Sequence, residues 1–346
     1  MHFQKNPSMK VAVLEKINAP LAIRDVGLSE LEVGQVLVKV LVSGLCGAQL
    51  HEIRGHKGNE KFLPHLMGHE GCGIVKEVGP GVTTVKEGDK VVMHWRPGSG
   101  IESEFPKYHL GEKIISSGKC TTLSEFSIVS ENRLTKVPHD TPTVLAAMLG
   151  CSLTSALGII DNECNLKFGE SVAIIGCGGV GLNLIQAAKM KNAYPVYGVD
   201  INDKMFDLTH QIGVDIFTCD LEFIPEKVDV ILDTTGVPEV ISKAFDKLAP
   251  SGRLIMVGQP APGTDLNIFN PLSMFDGQGK SIRASQGGKT KPDEDIPRYI
   301  KLANREILDF NTLHTDTFAL DNINDAFDLL KTGNAGRIMI KMGEDL

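Results

Sequence analysis

Positive charge is in the minority in this sequence. Against 43 Asp and Glu there are 35 Lys and Arg, a net charge of −8, which argues against nucleic acid and anionic membrane surfaces as partners. No apolar run reaches the length of a membrane span. Met1 to Ser8 lack the apolar segment of a secretory signal and read as a loose extension before a strand that starts near Met9. None of the cysteines (Cys46, Cys72, Cys120, Cys151, Cys164, Cys177, Cys219) falls in a Cys-x-x-Cys pair, so their scatter fits a reduced, cytoplasmic protein better than a disulfide framework. There is no internal repeat, no low-complexity tract and only one tryptophan, Trp95.

What is present is enough chain for two cores: 346 residues, 42% of them hydrophobic. Residues 1–151 read as a β-rich domain, because Val36, Val38, Val40 and Val42 alternate with Leu37, Lys39, Leu41 and Ser43 at the period of a strand. Glycine and proline punctuate the chain from Gly68 to Gly88, and Val91-Val92-Met93 reads as a further short strand. From His94 to Gly118 the period is lost, and a long irregular loop is expected. Over residues 152–284 strands and helices alternate: strands at Ser171–Ile175, Pro195–Val199, Val228–Leu232 and Arg253–Val257, helices at Val180–Lys191, Asp203–Gly213 and Pro238–Leu248. Such alternation predicts a doubly wound parallel sheet with helices on both faces, so the fold class is α/β with a separate β-rich domain. Residues 285–346 turn mixed again, and the strand Arg337–Lys341 is expected to return to the first domain.

Gly176-Cys177-Gly178-Gly179-Val180-Gly181 directly follows an apolar strand and opens a helix, the context a dinucleotide-binding turn requires. Gly176 permits the tight turn, Gly178 lets backbone approach a pyrophosphate, and Gly181 lets helix pack closely on strand. The free N–H groups at the helix start suit phosphate. Asp200 follows Gly181 by 19 residues at the end of the next strand, where its carboxylate would accept from ribose hydroxyls and repel a 2′-phosphate. NAD is therefore expected over NADP.

Three other stretches, far apart in sequence, each look like part of one catalytic zinc site: Cys46-Gly47 with His51 soon after, Gly68-His69-Glu70, and Gly150-Cys151. Zinc favours Cys sulfur and His nitrogen, and a catalytic site keeps three protein ligands and one open position. Taken singly, each has a plainer reading, the cysteines as small buried hydrophobes and His69-Glu70 as a polar surface pair. Spacing alone does not decide between the two.

Together, Cys46-Gly47-Ala48-Gln49-Leu50-His51, Gly68-His69-Glu70-Gly71, Gly79-Pro80-Gly81-Val82, Gly88-Asp89-Lys90-Val91, Gly150-Cys151, the glycine turn, Asp233-Thr234-Thr235-Gly236 and Gly252-Arg253 to Val257-Gly258 resemble the zinc-dependent medium-chain alcohol and polyol dehydrogenases, in order over nearly the whole chain. The resemblance implies a GroES-like catalytic domain, a Rossmann domain and an active site in the cleft between them. It implies zinc on Cys46, His69 and Cys151, with Glu70 as a nearby or exchangeable ligand and His51 as proton carrier. Thr235, Val257 and Ser155, with Thr154, join the glycine turn on the NAD side. The reaction implied is hydride transfer between NAD(H) and an alcohol or carbonyl, in a homodimer or homotetramer. A zinc-free quinone or enone reductase on the same fold and a non-catalytic NAD-binding sensor are the competing readings.

The chain also departs from that family. Many relatives bind a second, structural zinc on four close cysteines; only Cys120 lies between His94 and Gly150, so one zinc per chain is expected. Ala48 stands where a Ser or Thr starts the proton path, and Gln49 stands where an Asp steadies the zinc-bound His, a bond Gln49 could also accept. Trp95 falls where the family lines its substrate pocket. Arg96, with Lys107, His109 and Lys113, could select an anionic or sugar-like substrate. Glu102, Glu104 and Glu112 offset that charge and favour a solvated or subunit-contact loop.

Overall fold

Alternating apolar residues make the first part of the chain a succession of strands. A computed structural model describes residues 8–224, 227–268 and 270–343; the extension expected over Met1–Ser8 lies outside them except for Ser8, which already belongs to the first strand. In order come β1 (Ser8–Leu14), β2 (Ala22–Leu28), β3 (Gln35–Gly44), helix α1 (Gly47–Ile53), the short β4 (His65–Leu66), β5 (Glu70–Val78), β6 (Lys90–His94), β7 (Lys107–Leu110), β8 (Lys113–Ser116), β9 (Phe126–Ser130) and β10 (Leu134–Val137). Two buried helices follow, α2 (Thr143–Met148) and α3 (Ser152–Gly158).

The alternating half then runs β11 (Val172–Ile175), α4 (Gly179–Met190), β12 (Val196–Val199), α5 (Phe206–Gln211), β13 (Ile216–Thr218), β14 (Val228–Asp233), α6 (Pro238–Asp246), β15 (Leu248–Met256) and β16 (Ser281–Ala284). The chain continues through α7 (Pro292–Ala303), β17 (His314–Ala319), α8 (Ile323–Thr332) and β18 (Arg337–Lys341).

Strands β1, β2, β7, β8 and β4 close into a small barrel, beside a sheet ordered β10-β6-β5-β3-β18-β17 with β9 alongside β3. The second half forms one six-stranded sheet, β13-β12-β11-β14-β15-β16, in which every pairing is parallel. β11 and β14 are neighbours from which the chain winds outward in opposite directions, so a crevice opens at their carboxyl ends. β18 pairs antiparallel with β3 (Met339 opposite Gly44), carrying the chain back to the first sheet.

His94 to Gly118 is not irregular throughout. β7 and β8 form a hairpin across Gly111, which adopts φ +60°, with buried Tyr108 opposite buried Ile115. Strands of four residues point only two side chains inward each, too few to display a period. The helix expected over Asp203–Gly213 starts as a 3-10 turn, Asp203–Met205, and becomes α-helical only at Phe206.

One continuous apolar core joins the two halves. It runs from Val42, Cys72 and Val92 through Leu145, Leu149, Leu153 and Leu157 to Val172, Ile174 and Leu184. Helices α2 and α3 therefore act as a packed bridge between the sheets, which fixes the loops that converge on the cleft. Among the described residues no helix is long and apolar enough to cross a membrane.

Candidate active site

Three chain turns deliver the candidate metal ligands. Cys46 leaves β3 and caps α1, His69 precedes β5, and Cys151 caps α3. Their ligand atoms all lie within 4.8 Å of one another, the one such group of His, Cys, Asp and Glu among the described residues. The donor set suits zinc: two sulfurs and one imidazole nitrogen, with nothing else of the protein required for a three-ligand site. A hydrogen bond from Cys151 is the main cause holding the Cys46 thiol well below its usual range, with His69 acting the same way and burial opposing. The shared proton stays on Cys151, whose thiol is correspondingly pushed up.

Of the glycine turn, Val180 lines the same cavity as the three ligands, while its glycines and Asp200 lie behind it. Gly176 has φ +87°, open to glycine but rarely to other residues, and a Cβ on Gly181 would run into the Gly176 carbonyl. Asp200 accepts the Cys177 N–H at 2.7 Å and the Asn202 N–H at 2.9 Å, which fixes its carboxylate at the lip of the turn. Thr235 donates to Asp233 at 2.6 Å, and the Asp233 carboxyl is raised by burial. A cavity of about 360 Å³ brings the two sites together: Cys46, Ala48, His51, His69, Trp95 and Cys151 line one part, Ser155, Val180, Thr235 and Val257 the other.

Comparison with known proteins gives the same reading. A family model described as "Alcohol dehydrogenase GroES-like domain" matches residues 32–139, and one described as "Zinc-binding dehydrogenase" matches residues 179–305. Alcohol dehydrogenase 6 of Peromyscus maniculatus is 29% identical, over 96% of this chain and 97% of its own. This chain belongs to the zinc-dependent medium-chain alcohol dehydrogenase family. An S-(hydroxymethyl)glutathione dehydrogenase of Escherichia coli is 28% identical over 96% of this chain and 99% of its own. The solved benzyl alcohol dehydrogenase of Acinetobacter calcoaceticus superposes with a TM-score of 0.87 at 26% identity, covering 97% of this chain and 100% of that one. As a member of the family, the chain is a zinc-dependent dehydrogenase that works with NAD(H) on an alcohol or its carbonyl.

Within this dehydrogenase several sequence expectations need correction. Glu70 does not join the metal group: its side chain is fully buried, forms an ion pair with Arg337 and accepts the Ser152 N–H at 3.0 Å. Adjacent residues entering a strand point to opposite faces, so His69 and Glu70 cannot both face the sulfurs. Arg96 does not line the cavity and is held from behind by backbone. Its Nε donates to the Thr290 carbonyl at 3.0 Å and its Nη1 to the Gln286 carbonyl, with the guanidinium 5.4 Å from the centre of the Trp95 ring. It therefore braces the wall that Trp95 presents. Lys107 pairs with Glu32 at 3.1 Å and His109 meets Ser29 at 3.2 Å, both on the barrel hairpin, and neither lines the cavity. Gln49 accepts the Cys46 N–H at 2.8 Å, capping α1, and makes no bond to His69 among the described residues.

His51 lies on α1, where burial and then His56 lower its pKa; the two Nδ1 atoms are 3.4 Å apart. The sequence reading missed Arg337. It is buried between Glu70 and the glycine turn, so close that a Cβ on Gly179 would meet its Cδ at 2.9 Å. The available signal was an arginine opening the apolar run Ile338-Met339-Ile340, since a buried charge needs a partner. Gln286 and Gly287 also line the cavity, without any motif to announce them.

Proposed function

We propose that Cys46, His69 and Cys151 hold a single catalytic zinc, and that NAD lies along the glycine turn with its nicotinamide toward Ser155, Thr235 and Val257. The observation that carries this reading is the one cavity shared by the three ligand atoms and by Val180, Thr235 and Val257. When bound, zinc supplies a Lewis acid for the substrate oxygen and NAD supplies the two-electron acceptor.

The chain's own residues do the rest. Cys46 presents sulfur already biased to the thiolate, and Gln49 fixes the turn that aims it. Trp95, Ile159 and Val257 give the cavity apolar walls that keep bulk water from the reacting carbon. Ala48 offers no hydroxyl to a proton path, so a neighbouring hydroxyl of the substrate takes its place, and the substrate is a polyol or sugar-like alcohol. His51, neutral because its pKa is lowered, takes the proton on a ring nitrogen, and His56 stands beside it toward release. Asp200 accepts from the ribose hydroxyls and repels a 2′-phosphate.

Elemental analysis of the purified protein should find one zinc per chain. Cys46→Ser should lose that zinc and roughly 10²–10³-fold or more in turnover, the scale of one lost transition-state contact, while NAD still binds. Retained turnover in the variant removes the assignment. Steady-state kinetics should favour NAD over NADP, and Asp200→Ala should narrow the preference; equal use of both by the native chain contradicts the role given to Asp200.

We further infer a cytoplasmic homo-oligomer. All seven cysteines are free thiols, which suits a reducing compartment, and cell fractionation tests it. A homodimer joined along the outer edge of β16 is the assembly favoured, because that strand ends the parallel sheet and Leu272 and Phe275, in the segment before it, are 76% and 78% exposed.

A further inference from the structure

Helix α1 ends in the turn Ile53-Arg54-Gly55-His56. The Gly55 N–H donates to the Glu52 carbonyl and the His56 N–H to the His51 carbonyl, each at 2.9 Å, and Gly55 adopts φ +75°. Two such bonds around a left-handed glycine fold the second residue past the cap back onto the third residue from the helix end. The side chains so brought together are commonly apolar. Here they are imidazoles, His51 and His56. Their ring centres are 5.5 Å apart, their planes tilted by 59°, and their Nδ1 atoms 3.4 Å apart. His51 lines the cavity that holds Cys46, His69 and Cys151; His56 does not line it.

The contact is a hydrogen bond when one Nδ1 bears a proton and the other is bare. Each choice fixes the far nitrogen of a neutral His51. If His56 donates, the His51 proton sits on Nε2, and His51 offers the cavity a donor. If His51 donates, its Nε2 is bare and can take a proton. We propose that His56 is a positioning residue for the proton carrier: its bare Nδ1 accepts from His51 Nδ1–H and so keeps His51 Nε2 unprotonated toward the substrate hydroxyl. Ala48, also on the cavity wall, has no hydroxyl with which to aim His51, so the aim is set from behind. A base oriented by a third group is a general device for proton transfer. In the step, the hydroxyl O–H bond breaks and an Nε2–H bond forms on His51. The histidine pair is then one proton richer and yields that proton to solvent. His51 as carrier rests on the proposed function; the hold of His56 on its tautomer rests on the turn and the ring contact alone.

The first arm reads the tautomer without turnover. Ring-nitrogen NMR of the holoenzyme, labelled in its histidines, distinguishes protonated from bare nitrogens, and His51→Gln and His56→Asn assign the signals. Near neutral pH, His51 should be protonated at Nδ1 and bare at Nε2. The second arm follows NADH formation in the first turnover, with glycerol and with butanol as the alcohols. His56→Leu restores the apolar pair common to this kind of turn, so the thermal midpoint should not fall. Its first-turnover rate should nonetheless drop about 10–100-fold, the scale of losing a group that orients a functional histidine, with the KM for NAD unchanged. His56→Asn brings an amide oxygen near the position of Nδ1 and should regain most of the loss.

A native His51 protonated at Nε2 overturns the positioning role, whatever the rates. An undiminished first-turnover rate in His56→Leu overturns it too, and so does a His56→Asn variant as slow as His56→Leu. A native rate in His51→Gln, or no turnover of either alcohol, counts against the proposed function instead, and the tautomer arm still decides for or against His56.

Discussion

Arg337 is 2% exposed and Glu70 is not exposed at all, so the two charges are removed from water together. Buried pairs of this kind are expensive to break from one side, because the survivor keeps its charge without a partner. Arg337→Met should lower stability by about 3–5 kcal/mol, read as a fall in the midpoint of urea or thermal unfolding. Arg337→Met combined with Glu70→Gln should regain most of the loss. A double variant as unstable as the single one would assign the effect to packing instead. Residue by residue, the sequence was most legible where chemistry forces a residue type: Cys46, His69 and Cys151 for sulfur and nitrogen, Gly176 for a positive φ, Gly181 for close approach to Gly176. It was least legible where a partner is chosen by three-dimensional neighbourhood. Glu70 follows His69 in sequence and so looked like a ligand, yet strand geometry turns it toward a residue 267 positions away, Arg337.

At the scale of elements, β6 shows how one strand end carries both scaffold and site. Its last residue, His94, donates from Nδ1 to the Arg96 carbonyl at 2.7 Å and accepts at Nε2 from Thr135 on β10 at 2.9 Å, and Trp95 follows immediately. A carbonyl can only accept, so Nδ1 bears the proton, and the lowered pKa leaves Nε2 free to accept near neutrality. Burial is the main cause that lowers the His94 pKa from 6.5 to about 4; Arg133 pushes the same way, and the backbone acceptors oppose. The unfolded chain therefore takes up a proton below pH 6.5 that the folded chain refuses until about pH 4. Folded stability is intact above the unfolded pKa and falls as pH drops through this window, by about 3 kcal/mol from this group. Urea unfolding at stepped pH should show that decline, and His94→Gln should flatten part of it; an unchanged slope would mean that His94 is protonated in the fold. Long strands and helices such as β3 and α4 were readable because seven or more residues repeat one period. The β7–β8 hairpin was not, because four residues do not, and its glycine at Gly111 looked like loop punctuation.

On the scale of the molecule, the cleft exists because two sheets of different origin share one apolar core through α2 and α3. That architecture was legible from the change in texture near residue 152, since alternating strands and helices leave few alternatives to a parallel sheet. The assembly was not legible, because an edge strand and a covered edge strand have the same sequence. Sedimentation velocity should find a dimer, and Leu272→Asp with Phe275→Asp should shift it to the monomer. A native chain that sediments as a monomer contradicts the β16 interface.

The pairing of β18 with β3 has one more consequence, for how the protein is made. Gly44 meets Met339, so the sheet that positions Cys46 stays incomplete until about 300 further residues have left the ribosome. The β11–β16 sheet is contiguous in sequence and has all its strands by Ala284. The nucleotide half can therefore form during synthesis, while the metal half waits, its β3 edge without β18 and its Glu70 without Arg337. Newly made chains are most exposed to mispairing and to loss of thiols in that interval, before the last strand seals the site.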